Sequence, residues 1–218
     1  MEKIVTAIEL QKKNKRRVNI FINEEYAFGL SEAAAKGLRT GQILNSRDIE
    51  QLQEKETQTK TKDLARNYLS YRPRSTTEVQ NHLLRKGLPE STVDSVITEL
   101  TEDNKLNDLE FARYWVGQRE DFRPKGLYAL RHELLQKGVG DPIIETVLSS
   151  IDEHRSARKA GQRKAVKLQG SEYELFMRKL SQHLERRGFS YEIIADVTRE
   201  FWRESILNTE EKSFSKGE

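Results

Sequence analysis

The segments VQNHLLRKGLPESTVDSVITEL (79–100), LRHELLQKGVGDPIIETVLSSI (130–151) and LSQHLERRGFSYEIIADVTREF (180–201) superimpose without a gap. A chain that repeats itself in this way builds a stack of small modules, because each unit buries only one apolar stripe. The first half of each segment carries an apolar pair four residues apart: Val79/Leu83, Leu130/Leu134 and Leu180/Leu184. The second half carries Val93/Val96/Leu100, Ile144/Val147/Ile151 and Ile194/Val197/Phe201. Both spacings are those of a helix face. Between the halves stand Gly87, Gly138 and Gly188. A helix often ends on a left-handed residue, where a Cβ costs energy, so these glycines are expected to stop the first helix of each pair. Ser75 with Glu78 forms a capping box, and Asp141–Pro142 marks a further helix start.

A third helix precedes the second pair. In KLNDLEFARYWVGQREDFRPKG (105–126), Asn107 is placed to cap a helix, with Glu110 three residues on and Leu106 and Phe111 flanking as a hydrophobic staple. Phe111 and Trp115, with Leu109 and Ala112, line one apolar side, so Trp115 is expected in the core. Pro124 disfavours helical geometry at Arg123 and ends the helix. Asp108 and Glu110 resemble a catalytic carboxylate pair, but first-turn acids favour a helix N-terminus, so capping is preferred over acid–base chemistry. FRPKG (122–126) matches YRPRS (71–75), so each unit holds three helices. The third unit lacks this element. It opens instead with HRSARKAGQRKAVK (154–167), in which Arg155, Lys159, Arg163 and Lys167 sweep one arc and Ala157, Gly161, Ala165 and Leu168 the opposite one. That arc is either a solvated face or an anion-binding one.

The first residues follow a different pattern. KIVTAIEL and RVNIFI are β-branched runs joined by the basic QKKNKR, a hairpin signal. YAFGL adds a candidate third strand after a turn at Asn23–Glu25, and SEAAAKG reads as a short helix. QEKETQTKTKD (53–63) has no apolar residue and reads as a linker or an exposed helix. The expected class is mainly α: three tandem three-helix repeats with a small N-terminal β-hairpin/α segment. Its parts are a hairpin with short helices (1–52), a polar linker (53–63), repeats over 64–103, 104–153 and 154–206, and a disordered tail (207–218).

Composition narrows the function. Of 218 residues, 33% are charged and 35% hydrophobic, yet the net charge is only +3. Affinity for nucleic acid therefore requires that charge be segregated. Lys and Arg are absent from 88–104, 139–153 and 189–198, which carry Glu90, Asp94 and Glu145 among other acids. The basic candidates for partner or nucleic-acid contact lie on the first and second helices: Arg72, Arg74, Arg85, Lys86, Arg113, Arg119, Arg123, Lys125, Arg131, Arg155, Lys159, Arg163, Lys167, Arg186 and Arg187. A helix-turn-helix reader would place the acidic third helix in the major groove, where phosphate repels it. Sequence-specific duplex reading is disfavoured for that reason. There is no Cys, and the four His show no metal-ligand spacing. No phosphate-binding loop, dinucleotide fingerprint or nucleophile elbow is present, so neither a catalytic site nor a cofactor or metal is expected. Without an apolar signal or a spanning run, a cytoplasmic protein without membrane contact is expected.

KLNDLEFARYWVGQR, followed by RPKG, LRHELLQKGV and LERRGFSYEIIADV, resembles the RecX family of recombination regulators over about residues 60–204. The N-terminal hairpin is similar to the extension of longer members. The resemblance implies a non-enzymatic protein that binds within the groove of the RecA–single-stranded DNA filament. There it would inhibit ATP hydrolysis, strand exchange and the coprotease activity that triggers the SOS response. It would meet single-stranded DNA through the filament and act as a monomer. The alternatives are a nonspecific single-stranded nucleic-acid binding module, using the hairpin tip and 154–167, and a helical protein-interaction scaffold.

Overall fold

The computed structural model describes residues 2–214, with side chains through Leu207. The chain forms two compact units, Met1–Leu106 and Asn107–Glu218.

The first unit opens with strands β1 (Lys3–Leu10), β2 (Arg17–Ile22), β3 (Glu25–Ser31) and β4 (Ile43–Leu44). They form an antiparallel sheet in the order β3-β2-β1-β4. The β2–β3 turn places Asn23 and Glu24 at φ of 50° and 72°, the paired left-handed geometry that suits the twist of a hairpin. The strands thus extend the expected hairpin by the third strand and by a fourth too short for periodicity to reveal. SEAAAKG forms turns rather than the expected short helix. Its Ala34 is buried against the sheet with Val5, Val18, Ile20, Leu30 and Leu44, so tertiary burial outweighs alanine's helix preference.

Helix α1 (Ser46–Leu69) runs through the whole of 53–63, which corrects the expected linker. A capping box between Asn45 and Asp48 starts it, and no Gly or Pro interrupts it. Its first turns set Ile49 and Leu52 against the sheet, and its last turns supply Leu64, Ala65, Tyr68 and Leu69 to the first helical core. The polar middle is held by side-chain pairing: Glu56 accepts from Arg17 at 2.6 Å and from the Ser31 amide at 2.5 Å, and Lys62 pairs with Glu99 at 2.5 Å. Helices α2 (Thr76–Leu84) and α3 (Glu90–Glu102) complete that core with Val79, Leu83, Val93, Val96 and Leu100.

The second unit holds two more three-helix sets: α4 (Asp108–Phe122), α5 (Leu127–Gln136) and α6 (Asp141–Leu148), then α7 (Glu153–Lys167), α8 (Tyr173–Glu185) and α9 (Tyr191–Phe214). Phe111, Leu130, Leu134 and Ile144 anchor one core, and Phe176, Leu180, Leu184 and Val197 the other. Gly87, Gly138 and Gly188 have φ of 75°, 75° and 78°, the left-handed stops expected from the repeat. Asn107 accepts from the Leu109 and Glu110 amides, as a cap should. The staple differs from expectation: Leu106 is buried in the first core and Phe111 in the second. Of the tail expected over 207–218, residues as far as Phe214 continue α9, and 215–218 lie outside the described residues.

Candidate nucleic-acid and partner interface

Seven of the fifteen basic candidates already have partners within the fold. Arg72 donates to Glu78 at 3.0 and 3.3 Å and to the Pro73 carbonyl at 2.8 Å. Arg74 lies over the Tyr68 ring, 4.1 Å from its centroid, while His82 stacks on that ring at 3.9 Å. Arg119 and Lys125 converge on Glu133, Arg131 pairs with Glu145 and Asp141, and Arg187 donates to the Pro124 carbonyl at 3.1 Å. Lys159 reaches the Glu120 carbonyl at 2.5 Å yet remains exposed.

The other eight are exposed: Arg85, Lys86, Arg113, Arg123, Arg155, Arg163, Lys167 and Arg186. Their side chains make no hydrogen bond or ion pair among the described residues. Arg85 and Arg186 follow α2 and α8 as equivalent cap residues, which the repeat places there.

One register position of the second helix shows how the units diverge. It holds His82, Glu133 and His183 in the matching stretches HLLRKG, ELLQKG and HLERRG. In the first repeat His82 and Arg74 sandwich Tyr68. In the second, Glu133 accepts from Trp115 Nε1 and Arg119 Nε, each at 2.8 Å, and from Lys125. Burial pushes the Glu133 carboxyl up, but hydrogen bonds from Lys125, Arg119 and Trp115 outweigh it and hold the group below its ordinary range. Trp115, expected in the core, is half-buried: it packs against the core beside Phe111, is flanked by Arg119 and Lys137, and serves as a polar tie. Residue separations of 14 and 18 hid this cluster from a reading of local spacing.

In the third repeat the corner is open. Helices α4 and α7 are equal in length and bury matching positions, Phe111, Ala112 and Val116 against Ser156, Ala157 and Gly161. This register puts Ala160 where Trp115 stands. His183 bonds to the Ala160 carbonyl at 3.2 Å, and beside them opens a cleft of about 410 Å³. Lys159, Arg163, Lys164, Lys167 and Arg187 line it, with Asp121, Phe122 and Pro124 at the α4 end. Burial lowers the His183 pKa, against the hydrogen bond to Ala160, and the charges of Arg187, Arg186 and Lys164 lower it further. The arc expected on α7 therefore faces outward, with Ala157, Gly161, Ala165 and Leu168 buried opposite. Lys164, Phe122 and His183 joined it only through folding. Arg158 is withdrawn from it, pairing with Glu200 and Glu204 at 2.7 Å each.

A small antiparallel sheet, three helix–Gly–helix repeats and an exposed basic corner define a helical-repeat protein equipped for charged contacts. Family models match it in chain order: "Regulatory protein RecX N-terminal domain" over residues 3–45, and the first, second and third three-helix domains of RecX over 62–100, 107–148 and 152–198. The chain belongs to the RecX family of regulatory proteins. It is 36% identical to regulatory protein RecX of Bacillus licheniformis, over 97% of this chain and 82% of that one. With the Bacillus subtilis protein of the same name it shares 34%, over 96% and 81%. A crystal structure of regulatory protein RecX matches 91% of this chain and all of its own at a TM-score of 0.75 and 25% identity. RecX from Lactobacillus salivarius matches 66% of this chain and 96% of its own, with a TM-score of 0.61 and 27% identity. No helix among the described residues is long and apolar enough to cross a membrane.

Proposed function

We propose that the protein is a negative regulator of the RecA recombinase. It binds the RecA–single-stranded DNA filament and inhibits its ATPase, strand-exchange and coprotease activities, acting by binding rather than by catalysis. The unbroken succession of the N-terminal and three repeat domains of RecX carries this reading. Segregated charge supports it: free cations follow the first and second helices, while α3 and α6 contain no Lys or Arg. A surface with both signs suits a partner that presents protein acids and phosphates together. The test is RecA ATP hydrolysis on single-stranded DNA with this protein added below stoichiometry. Hydrolysis is expected to slow; an unchanged rate overturns the reading.

A second reading, a plain single-strand binder, is favoured by the uncommitted cations of α7. It predicts equal affinity for bare and RecA-coated strands, whereas the first predicts tighter binding to the coated one.

A further inference from the structure

We propose that the cleft of the third repeat is a nucleotide site, in which cations of α7 hold phosphate and the ring of Phe122 stacks on the base. The second repeat supplies an internal comparison. There the corner is closed by a carboxylate, Glu133, held by Trp115, Arg119 and Lys125. In the third repeat Lys164 stands where Arg119 does, but His183 replaces the carboxylate and Ala160 replaces the indole. The result is an anion receptor without an internal anion.

The electrostatics agree. Arg163, Lys164 and Lys167 make no ion pair or hydrogen bond among the described residues, and Asp121 is the one carboxylate in the lining. Positive charge from Arg187, Arg186 and Lys164 adds to burial in favouring neutral His183, which marks a field suited to a negative guest. Lys159, Arg163 and Lys167 recur every fourth residue, so they form a row with steps of about 6 Å along α7.

Charge alone would accept a phosphate or an acidic peptide. Phe122 decides between them. It lies at the rim, 76% exposed, on the last turn of α4 and outside the second core. A flat apolar ring beside a row of cations is the combination that binds single-stranded nucleic acid without regard to sequence. The nucleotide is either a residue of a strand or a free nucleoside triphosphate, which share this chemistry. The site gives the regulator its own hold on the strand. That setting rests on the reading above; the binding itself does not.

The test uses the full chain without RecA, so its outcome is independent of the ATPase assay. Binding of a labelled thymidine oligonucleotide is followed by fluorescence anisotropy across a salt series. Arg163→Ala/Lys167→Ala is expected to weaken binding at least tenfold and to flatten the salt dependence by about 1.4 in log–log slope, the loss of two phosphate contacts to a single strand. Phe122→Ala is expected to weaken it about tenfold while retaining the slope. Thermal midpoints should match the parent, since all three side chains are exposed. Competition by ATP at concentrations comparable to the oligonucleotide assigns the site to free nucleotides; competition by unlabelled strand alone assigns it to the strand. The proposal is overturned if Arg85→Ala/Lys86→Ala causes the same loss, because binding is then diffuse. It is equally overturned if Phe122→Ala has no effect, or if polyglutamate competes as well as the strand, which would make the cleft a receptor for an acidic protein segment.

Discussion

The backbone of Gly126 lies so close to Gly188 that a Cβ on Gly126 would overlap the Gly188 carbonyl group. The Gly126 amide donates to the Arg187 carbonyl at 2.9 Å, and Arg187 donates to the Pro124 carbonyl at 3.1 Å. The second and third repeats therefore meet backbone to backbone. Gly188 adds a second constraint, because its own Cβ would lie 2.5 Å from that of Ala129.

This seam ranks the glycines. Gly87→Ala meets only the left-handed strain, since the space around its Cβ is empty, and should cost about 1–2 kcal/mol. Gly188→Ala should cost more, adding overpacking of about 1–3 kcal/mol to the same strain, whereas Gly126→Ala, at a φ of −71°, should cost through its overlap with rigid backbone alone. Urea denaturation of the three variants checks the order; equal midpoints would contradict the seam.

Glu133 should be a stability residue with a defined pH dependence. Its folded pKa lies below the ordinary 4.5, so its contribution is complete above that value and disappears as pH falls through the folded one. Glu133→Ala should cost about 1–3 kcal/mol at neutral pH, leaving Trp115, Arg119 and Lys125 without their acceptor. The gap between parent and variant should narrow below about pH 4.5, measured by denaturation across an acid series.

Glu153 caps a helix to which it does not belong. Its carboxylate accepts from the Leu127 amide at 3.1 Å, at the start of α5, where Gly126 offers no side-chain cap. Glu153→Ala should cost about 1 kcal/mol and speed hydrogen exchange at the Leu127 amide. An unchanged exchange rate there would remove the cap from the account.

Arg72 and Arg123 occupy equivalent places before Pro73 and Pro124 but should behave differently. Arg72→Ala breaks a half-buried pair with Glu78 and should lower stability by about 1 kcal/mol. Arg123→Ala should leave stability unchanged, because the side chain is exposed. Any loss of RecA inhibition in a stable Arg123→Ala protein then reports contact rather than folding.

Most of the helical architecture was legible because its signals are local. An apolar stripe, the Asn107 cap, the Pro124 stop and a left-handed glycine each act within one or two turns. The resemblance to RecX, carried by motifs in order and spacing, was legible for the same reason. Between a linker and an exposed helix over 53–63 local spacing does not choose, because the helix is sustained by partners far along the chain, Arg17 and Glu99 among them. Strand β4, of two residues, has no periodicity to detect.

The sequence alone determined the repeat, the helix ends and the separation of basic first and second helices from acidic third ones, since these depend on neighbours along the chain. Only the tertiary structure decided which cations are free. Arg72, Arg119, Arg163 and Lys167 are chemically alike in the sequence, and the first two are taken by Glu78 and Glu133. The second two face an open corner, because Ala160 stands where the second repeat places Trp115. A charge is spent or available according to the carboxylate that folding brings within about 4 Å, and that distance is not a property of sequence spacing.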